Sequence, residues 1–249
     1  MLLDGRNRLR TPARALDLPP LFRLVTLREV GDAFAHAQAI AAEAGAGTLV
    51  HVGRFDVAEF AVVLEPDEPL ESARRAFYAG CVALADALIA HAPPDKSITF
   101  EWPDAIRIDG GLVGGARLAW PRDTKPGARP DWLVFGAVIR TVATGEEPGV
   151  HPLAATLEDE GFDEIGAERL IEGFARHLMV AIDAWLERGF EEIAKSYLQR
   201  LSGEPAALAT IDANGDLLLR RGRKTDRRGL IDALARAAWL DPESGGPRR

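Results

Sequence analysis

Cysteine is almost missing from this chain. Cys81 is the only one, which excludes an intrachain disulfide and any zinc or iron–sulfur centre built from cysteines of this chain alone. That usage fits a reducing, cytoplasmic setting. The five histidines, His36, His51, His91, His151 and His177, never fall three or four residues apart, so no helix face carries a ligand pair and no permanent metal centre is expected. Long apolar runs are absent as well: nothing approaches the roughly 18 to 20 residues of a membrane span. Residues 1–20 carry Arg6, Arg8, Arg10 and Arg14 with no apolar core of a signal peptide behind them. Positive charge is in deficit, with a formal net charge of -8, which argues against broad attraction to nucleic acid or anionic lipid. Also missing are a Walker phosphate loop, a Gly-x-Gly-x-x-Gly turn, a Gly-x-Ser-x-Gly elbow and a His-Glu-x-x-His helix.

What is present is a globular composition, 47% hydrophobic and 27% charged over 249 residues, enough for one sizeable core and a small appended domain. Residues 1–20 end in Pro19 and Pro20 and read as an extended arm outside the core. Residues 21–26 suggest a strand. Phe34, Ala37, Ala41 and Ala44 then recur at helical spacing until Gly45 and Gly47. Strands are expected at 48–52 and 60–64, and a long helix at 71–91, whose stripe of Phe77, Cys81, Leu84 and Leu88 places the thiol in the core. Short β-runs follow at 97–102, 105–108 and 112–118, with Asp109, Gly110 and Gly111 as a hairpin turn. Another strand is expected at 132–142, and helices at 164–188 and 190–201. The acidic block from Glu158 to Glu164 reads as a cap and a solvated loop. After residue 203 the pattern becomes strand, turn at Asn214-Gly215, strand, and residues 242–249 read as a frayed tail. The division expected is an arm at 1–20, a main domain at 21–203 and a small C-terminal domain at 204–249. Arg220, Arg221, Arg223, Lys224, Arg227 and Arg228 form one local basic segment, read either as a solvated turn and edge strand or as a contact for a polyanion.

The most informative stretch is Glu101, Trp102, Pro103, Asp104, then the run 105–108, the glycine turn, and a strand with Gly114 and Gly115. It resembles the signature of the biotin protein ligases, in which Lys-Trp-Pro-Asn-Asp precedes a short strand, a glycine turn and a Lys-x-x-Gly strand. The resemblance extends over most of the chain: Arg28 to Gly31 with the following helix, Val62 to Asp67 with its Ala-rich helix, the strand at 132–142, and the passage through Gly189 and Phe190 to the Asn214-Gly215 hairpin. In order and spacing the chain is similar to the biotin/lipoate ligase superfamily. The resemblance implies an α+β fold: a mixed, largely antiparallel sheet with helices packed on one side, plus a small β-rich C-terminal domain. It also implies activation of a carboxylic acid by ATP and magnesium, then transfer of the acyl group to a lysine of a biotinyl- or lipoyl-type carrier domain.

At the positions that matter for that chemistry the sequence departs from the family's pattern. Glu101 stands in place of lysine, Asp104 of asparagine, Ala105 of aspartate, Leu112 of the second lysine and Arg140 of a late asparagine, while the adenylate loop is reduced to Gly53 and Arg54. One reading turns Glu101 inward beside Asp104 with Arg54, Arg117 or Arg140 as counter-charges, a pocket reshaped for another small molecule. The other leaves Glu101 as a tolerated residue in a site that has lost its task. On the resemblance, the candidate catalytic residues are Glu101, Asp104 and Arg140, and the candidate ligand-binding residues are Arg54, Trp102, Gly114, Gly115 and Arg117. Trp102 also reads as a packing wedge, and the paired glycines as a bulge or bend. Two functions stay open: a divergent ligase or acyltransferase handling an acyl group or carrier, and a non-catalytic binding protein on the same scaffold.

Overall fold

Apolar and β-branched runs generate the sheet, and helices cover both of its faces. The computed structural model describes residues 16–28, 30–143, 153–162 and 165–248. In chain order these contain β1 (Arg23–Leu27), α1 (Ala33–Ala44), β2 (Thr48–Val52), β3 (Val57–Leu64), α2 (Leu70–Ala73), α3 (Ala76–Ile89), β4 (Ile98–Glu101), β5 (Ala105–Ile108), β6 (Gly111–Ala119) and β7 (Leu133–Arg140). The remainder is α4 (Ala167–Arg188), α5 (Phe190–Leu198), a short 3-10 helix (Ala206–Leu208), β8 (Ala209–Ile211), β9 (Leu217–Arg221), β10 (Lys224–Arg228) and α6 (Leu230–Leu234).

Seven strands form a mixed sheet in the order β1-β2-β3-β7-β6-β5-β4. Only β1 with β2 is parallel; the remaining neighbours pair antiparallel. Alternation along the strands gives the sheet two chemically distinct faces. On the inner face Phe60, Phe100, Ile106, Phe135 and Ile139 join one large core with Phe77 and Leu84 of α3, Phe174 of α4 and Tyr197 of α5. Aromatic rings knit it together: Phe135 stacks on Phe174 at 5.6 Å between centroids and Phe100 on Tyr197 at 4.5 Å.

The expectation that the helices lie on one side is corrected here. Helix α1 sits on the opposite, outer face, burying Ala33, Ala37 and Ala41 against Val50, Val52, Ala61, Val63 and Val134. Its stripe is made of alanines, small enough for the backbone to approach the sheet, and Gly136 lets the Phe34 ring lie on β7.

The long helix expected at 71–91 is two helices. Ser72 O, which would continue the ladder by accepting from residue 76, instead accepts from both the backbone N–H and the Nε of Arg75. The chain then tightens for one turn, and Arg74 uses its guanidinium on the Asn214 carbonyl.

The small C-terminal sheet, in the order β10-β9-β8, has no separate core: Ala209, Leu217, Leu219 and Leu230 belong to the inner-face cluster, and the buried Tyr78 hydroxyl donates to Gly215 O at 2.6 Å. The basic segment spans β9, a turn and the edge strand β10. Arg221 and Arg228 pair with Glu204 at 2.9 Å, and Arg227 with Asp216 at 2.7 Å and Asp212 at 3.1 Å. These carboxylates neutralise much of the charge that a polyanion would need.

Both chain ends depart from expectation. The described end of the arm is not outside the core, because Leu16 and Leu18 pack against the inner cluster and Asp17 meets Glu172 and Arg176; residues 1–15 lie outside the described residues. At the other end, residues 242–248 do not fray. Arg248 N–H donates to Trp239 O at 2.7 Å, Asp241 N–H to Gly246 O at 2.8 Å, and Leu240 bridges Pro247. In the acidic block Asp159 caps Thr156 and Glu160 holds Lys96 at 2.6 Å, whereas Asp163 and Glu164 lie outside the described residues.

Candidate functional site

The glycine-containing strand β6 crosses the middle of the outer face, and its neighbours decide what can lie on it. A bulge at residues 106–107 of the β5–β6 pairing leaves Val113 without a partner, while Gly114 and Gly115 pair in regular register with Ile106 and Ala105 and, as consecutive strand residues, face opposite ways. Gly114 faces inward, where a Cβ would stand 2.0 Å from Val138 O and 2.9 Å from Ile139 Cδ1; its smallness serves the packing of β6 on β7. Gly115 faces outward, where a Cβ would stand 2.4 Å from Cε2 of Trp239. That tryptophan is 2% exposed and packs on Val57, Ala105, Leu112 and Val138, one residue from each of four strands. The outer face therefore has a flat apolar floor, opened by Gly115 and covered by a ring from the C-terminal segment.

Asp104 stands at the edge of this floor, directly after the cis Trp102-Pro103 step. Its backbone carbonyl accepts from Ala116 N–H at 2.9 Å, and its side chain is buried. Burial pushes the carboxyl up to about 7; the neighbouring Trp239 indole and the local backbone pull it down, and the charge of Glu101 adds to the rise. Yet neither Asp104 Oδ2 nor Trp239 Nε1 makes a hydrogen bond of acceptable geometry.

The inward placement of Glu101 is corrected. Ile98 and Phe100 of β4 point into the inner core, so alternation turns Glu101 to the outer face, where this edge strand is open to solvent. Its side chain is 55% exposed and pairs with Arg107 at 2.7 Å, not with Arg54, Arg117 or Arg140. An exposed pair of this kind contributes little. Glu101→Gln is expected to change the unfolding free energy by less than about 1 kcal/mol, measured by urea denaturation at neutral pH; a larger loss would give Glu101 a structural task that this geometry lacks. Trp102 also lies away from the floor, packed against the inner cluster with its indole beside the Tyr78 hydroxyl.

The three candidate arginines gather around the far rim. Arg54 clasps Asp56 through two hydrogen bonds at 2.7 and 3.0 Å, which raises the arginine and lowers the carboxylate. Arg117 pairs with Asp32 at 3.2 Å and lies over the Phe34 ring, 4.4 Å from its centroid. Arg140, at the end of β7, donates to the backbone carbonyl of Arg248. Between them lies Glu59, a residue missed from the sequence although a charge inside the apolar run 57–64 marks it out. It is buried and accepts from Ala33 N–H at 2.8 Å. Desolvation raises its carboxyl, opposed by that N–H and by the charges of Arg117 and Arg54. Trp239 was missed too, because nothing in its local pattern announces a long-range contact.

These groups fit magnesium-bound ATP poorly. Arg54 and Arg117 are engaged by carboxylates, Arg140 by a carbonyl, and Asp104 is driven toward its neutral form beneath an indole. Among the described residues no three His, Cys, Asp or Glu side chains converge as metal ligands. Lys96, Lys125, Lys195 and Lys224 all lie outside the elements that form this face.

A mixed seven-stranded sheet clothed on both faces, a glycine-opened floor with a carboxyl at the proline step, and a small β-module at the end together define a ligase-type α+β scaffold. The sequence model of the Biotin/lipoate A/B protein ligase family matches residues 18–199, and the chain belongs to that family. Among solved structures, a biotin protein ligase-like protein of unknown function from Silicibacter sp. is 30% identical with a TM-score of 0.76, over 88% of this chain and 98% of that one. Biotin protein ligase from Aquifex aeolicus gives a TM-score of 0.64 at 15% identity, over 83% of this chain and 95% of that one. The Leishmania major enzyme in complex with biotinyl-5-AMP gives 0.53 at 15%, over 84% and 98%. At 15% identity the likeness is one of fold. No curated protein matches the chain. No helix among the described residues is long and apolar enough to cross a membrane.

Proposed function

We propose that the protein binds an acyl compound, or a carrier domain bearing one, on the outer face of the sheet and does not activate it as an adenylate. The observation that carries this reading is the floor at Gly115: an apolar surface flat enough to hold a ring or chain, with a buried carboxyl at its edge and no lysine on its face. Adenylation concentrates negative charge where a carboxylate meets a phosphate and calls for cations free to meet it. Here Arg54 and Arg117 are already held by Asp56 and Asp32. Family membership supports the acyl or carrier class, and the pairing of these cations supports the loss of the ATP step.

The test is ATP–pyrophosphate exchange with biotin, lipoate and octanoate, run beside calorimetric titration of the same acids. Background exchange together with saturable binding of at least one acid is the expected result. Exchange with any of them overturns the proposal.

A second reading, acyl transfer without ATP, is favoured by one observation: a carboxyl with its pKa near 7 can accept or give a proton at neutral pH. It predicts transfer of an octanoyl group from a thioester donor to a carrier lysine, lost in Asp104→Asn and retained in Glu101→Gln. Absence of transfer leaves the binding reading in place.

A further inference from the structure

We propose that the C-terminal segment 237–248 is an intramolecular plug of the outer-face site, closed over the floor in the resting chain and displaced when the site is filled. The inference rests on the reading that the outer face is the ligand site, and its test separates the two.

Three observations point the same way. First, the segment occupies the floor as a ligand would. Trp239 inserts its ring over Gly115 among Val57, Ala105, Leu112 and Val138, while the Arg248 carbonyl takes a hydrogen bond from Arg140 at the rim. A ring on the glycine and a carbonyl oxygen on the guanidinium are contacts that a small molecule could reproduce one for one.

Second, the segment closes on itself through its hydrogen bonds and meets the body mainly through packing of Trp239. Arg248 N–H to Trp239 O, Asp241 N–H to Gly246 O, Ser244 Oγ to Asp241 at 2.7 Å, and Arg248 Nε to Leu240 O at 3.0 Å make it a closed loop. Pro242, Glu243, Ser244 and Gly245 are exposed. A loop held together internally can lift as one piece without unravelling, with Trp239 as its main anchor.

Third, the closed state is poorly satisfied. The Trp239 indole N–H lies beside the Asp104 carboxyl and lowers its pKa, yet neither Nε1 nor Oδ2 reaches hydrogen-bond geometry, so the contact falls short of a full hydrogen bond in an apolar setting. A ligand offering a well-aligned donor to the carboxyl satisfies it better than the indole of the plug does, and that difference is what shifts a population between two states. A cavity of about 470 Å³ lies beside the segment, bordered by Phe34, Arg117 and Leu118 on the sheet side and Leu240 and Arg248 on the plug side.

The experiment uses the full chain, with octanoate and biotin as probes. Calorimetry is run on the native protein, Trp239→Ala and Trp239→Phe, and circular dichroism establishes that each variant is folded. If the plug is closed in nine molecules of ten or more, Trp239→Ala binds a probe at least about tenfold more tightly than the native chain, and Trp239→Phe lies between. Equal affinities in folded proteins overturn the plug. Hydrogen exchange supplies a readout that needs no ligand and no variant. In the native chain the amides of Leu240, Asp241 and Arg248 are expected to exchange much faster than those of β6, and faster still with probe bound. Protection of the segment equal to that of β6 overturns the plug. Binding of a probe with equal affinity by all three proteins removes the plug and keeps the acyl-binding reading, whereas no binding by any folded variant, Trp239→Ala included, removes both.

Discussion

Asp104→Asn is expected to gain stability over the native protein as the pH rises, by up to about 4 kcal/mol between pH 4 and pH 8. The sign follows from which state holds the proton more tightly. In the folded chain burial lifts the carboxyl from 3.8 to about 7, so the folded state binds this proton with higher affinity than the unfolded state. That advantage is complete below pH 4 and disappears as the pH rises through 7. Every tenfold difference in proton affinity between the two states corresponds to about 1.4 kcal/mol. Asparagine copies the shape of the neutral acid and cannot ionise, so the difference between variant and native protein isolates this one group from the lowered carboxyls Asp56 and Asp109, whose contributions run the other way. Urea denaturation of both proteins at pH 4.5, 6 and 8 reads it. A difference that stays constant across the window shows that the carboxyl is hydrated and that Trp239 does not cover it. A rise that stops well short of the full amount measures what lifting the C-terminal segment costs, because an open floor lets water reach the charge.

A second large effect is expected at Asp216→Ala, with a loss of about 2–4 kcal/mol. Asp216 is a buried carboxylate that accepts from Leu230 N–H at 2.9 Å and Arg227 Nε at 2.9 Å, and it lies 3.9 Å from Arg74. Removing it leaves the N–H of a fully buried leucine without a partner and frees Arg227 from the junction between the small sheet and the main core. Amides in β9 and α6 should lose exchange protection before those of β3 or β7. Asp226→Ala is the control: its pair with Arg228 is 3.7 Å long and exposed, and a change below about 0.5 kcal/mol is expected. Equal losses in the two variants would show that the junction does not depend on the buried carboxylate.

The sheet was largely legible in the sequence because its strands are short runs bounded by turn residues. The expected ranges 48–52 and 105–108 coincide with β2 and β5. The hairpin between β5 and β6 was legible because Asp109 and Gly110 both take positive φ, 47° and 88°, as a two-residue turn of this kind requires. What the pattern could not reveal was long-range. The break between α2 and α3 arises from Arg75 capturing the Ser72 carbonyl, a competition that an apolar stripe does not record. Alternation along β4 separates Phe100 from Glu101 correctly, but it cannot say that the outer side of an edge strand is open to water. The site suffered most from this limit. Asp104 stands in a recognisable motif, whereas the group that covers it comes from Trp239, more than a hundred residues later, in a stretch with no periodicity to mark it as buried. The reach of Arg140 to the Arg248 carbonyl is equally invisible to any local pattern.

The lone cysteine turns this architecture into a convenient instrument. Cys81 is fully enclosed in α3, and its thiol is held well above its usual value by burial, so alkylating reagents reach it only when the whole core comes apart. Its rate of modification is therefore a clock for global unfolding. A cysteine introduced at the exposed Ser244 reacts freely beside it, and a dye attached there reports movement of the C-terminal loop alone. Two events that ordinary spectroscopy would blend, the lifting of one loop and the collapse of the molecule, can thus be timed separately in a single sample.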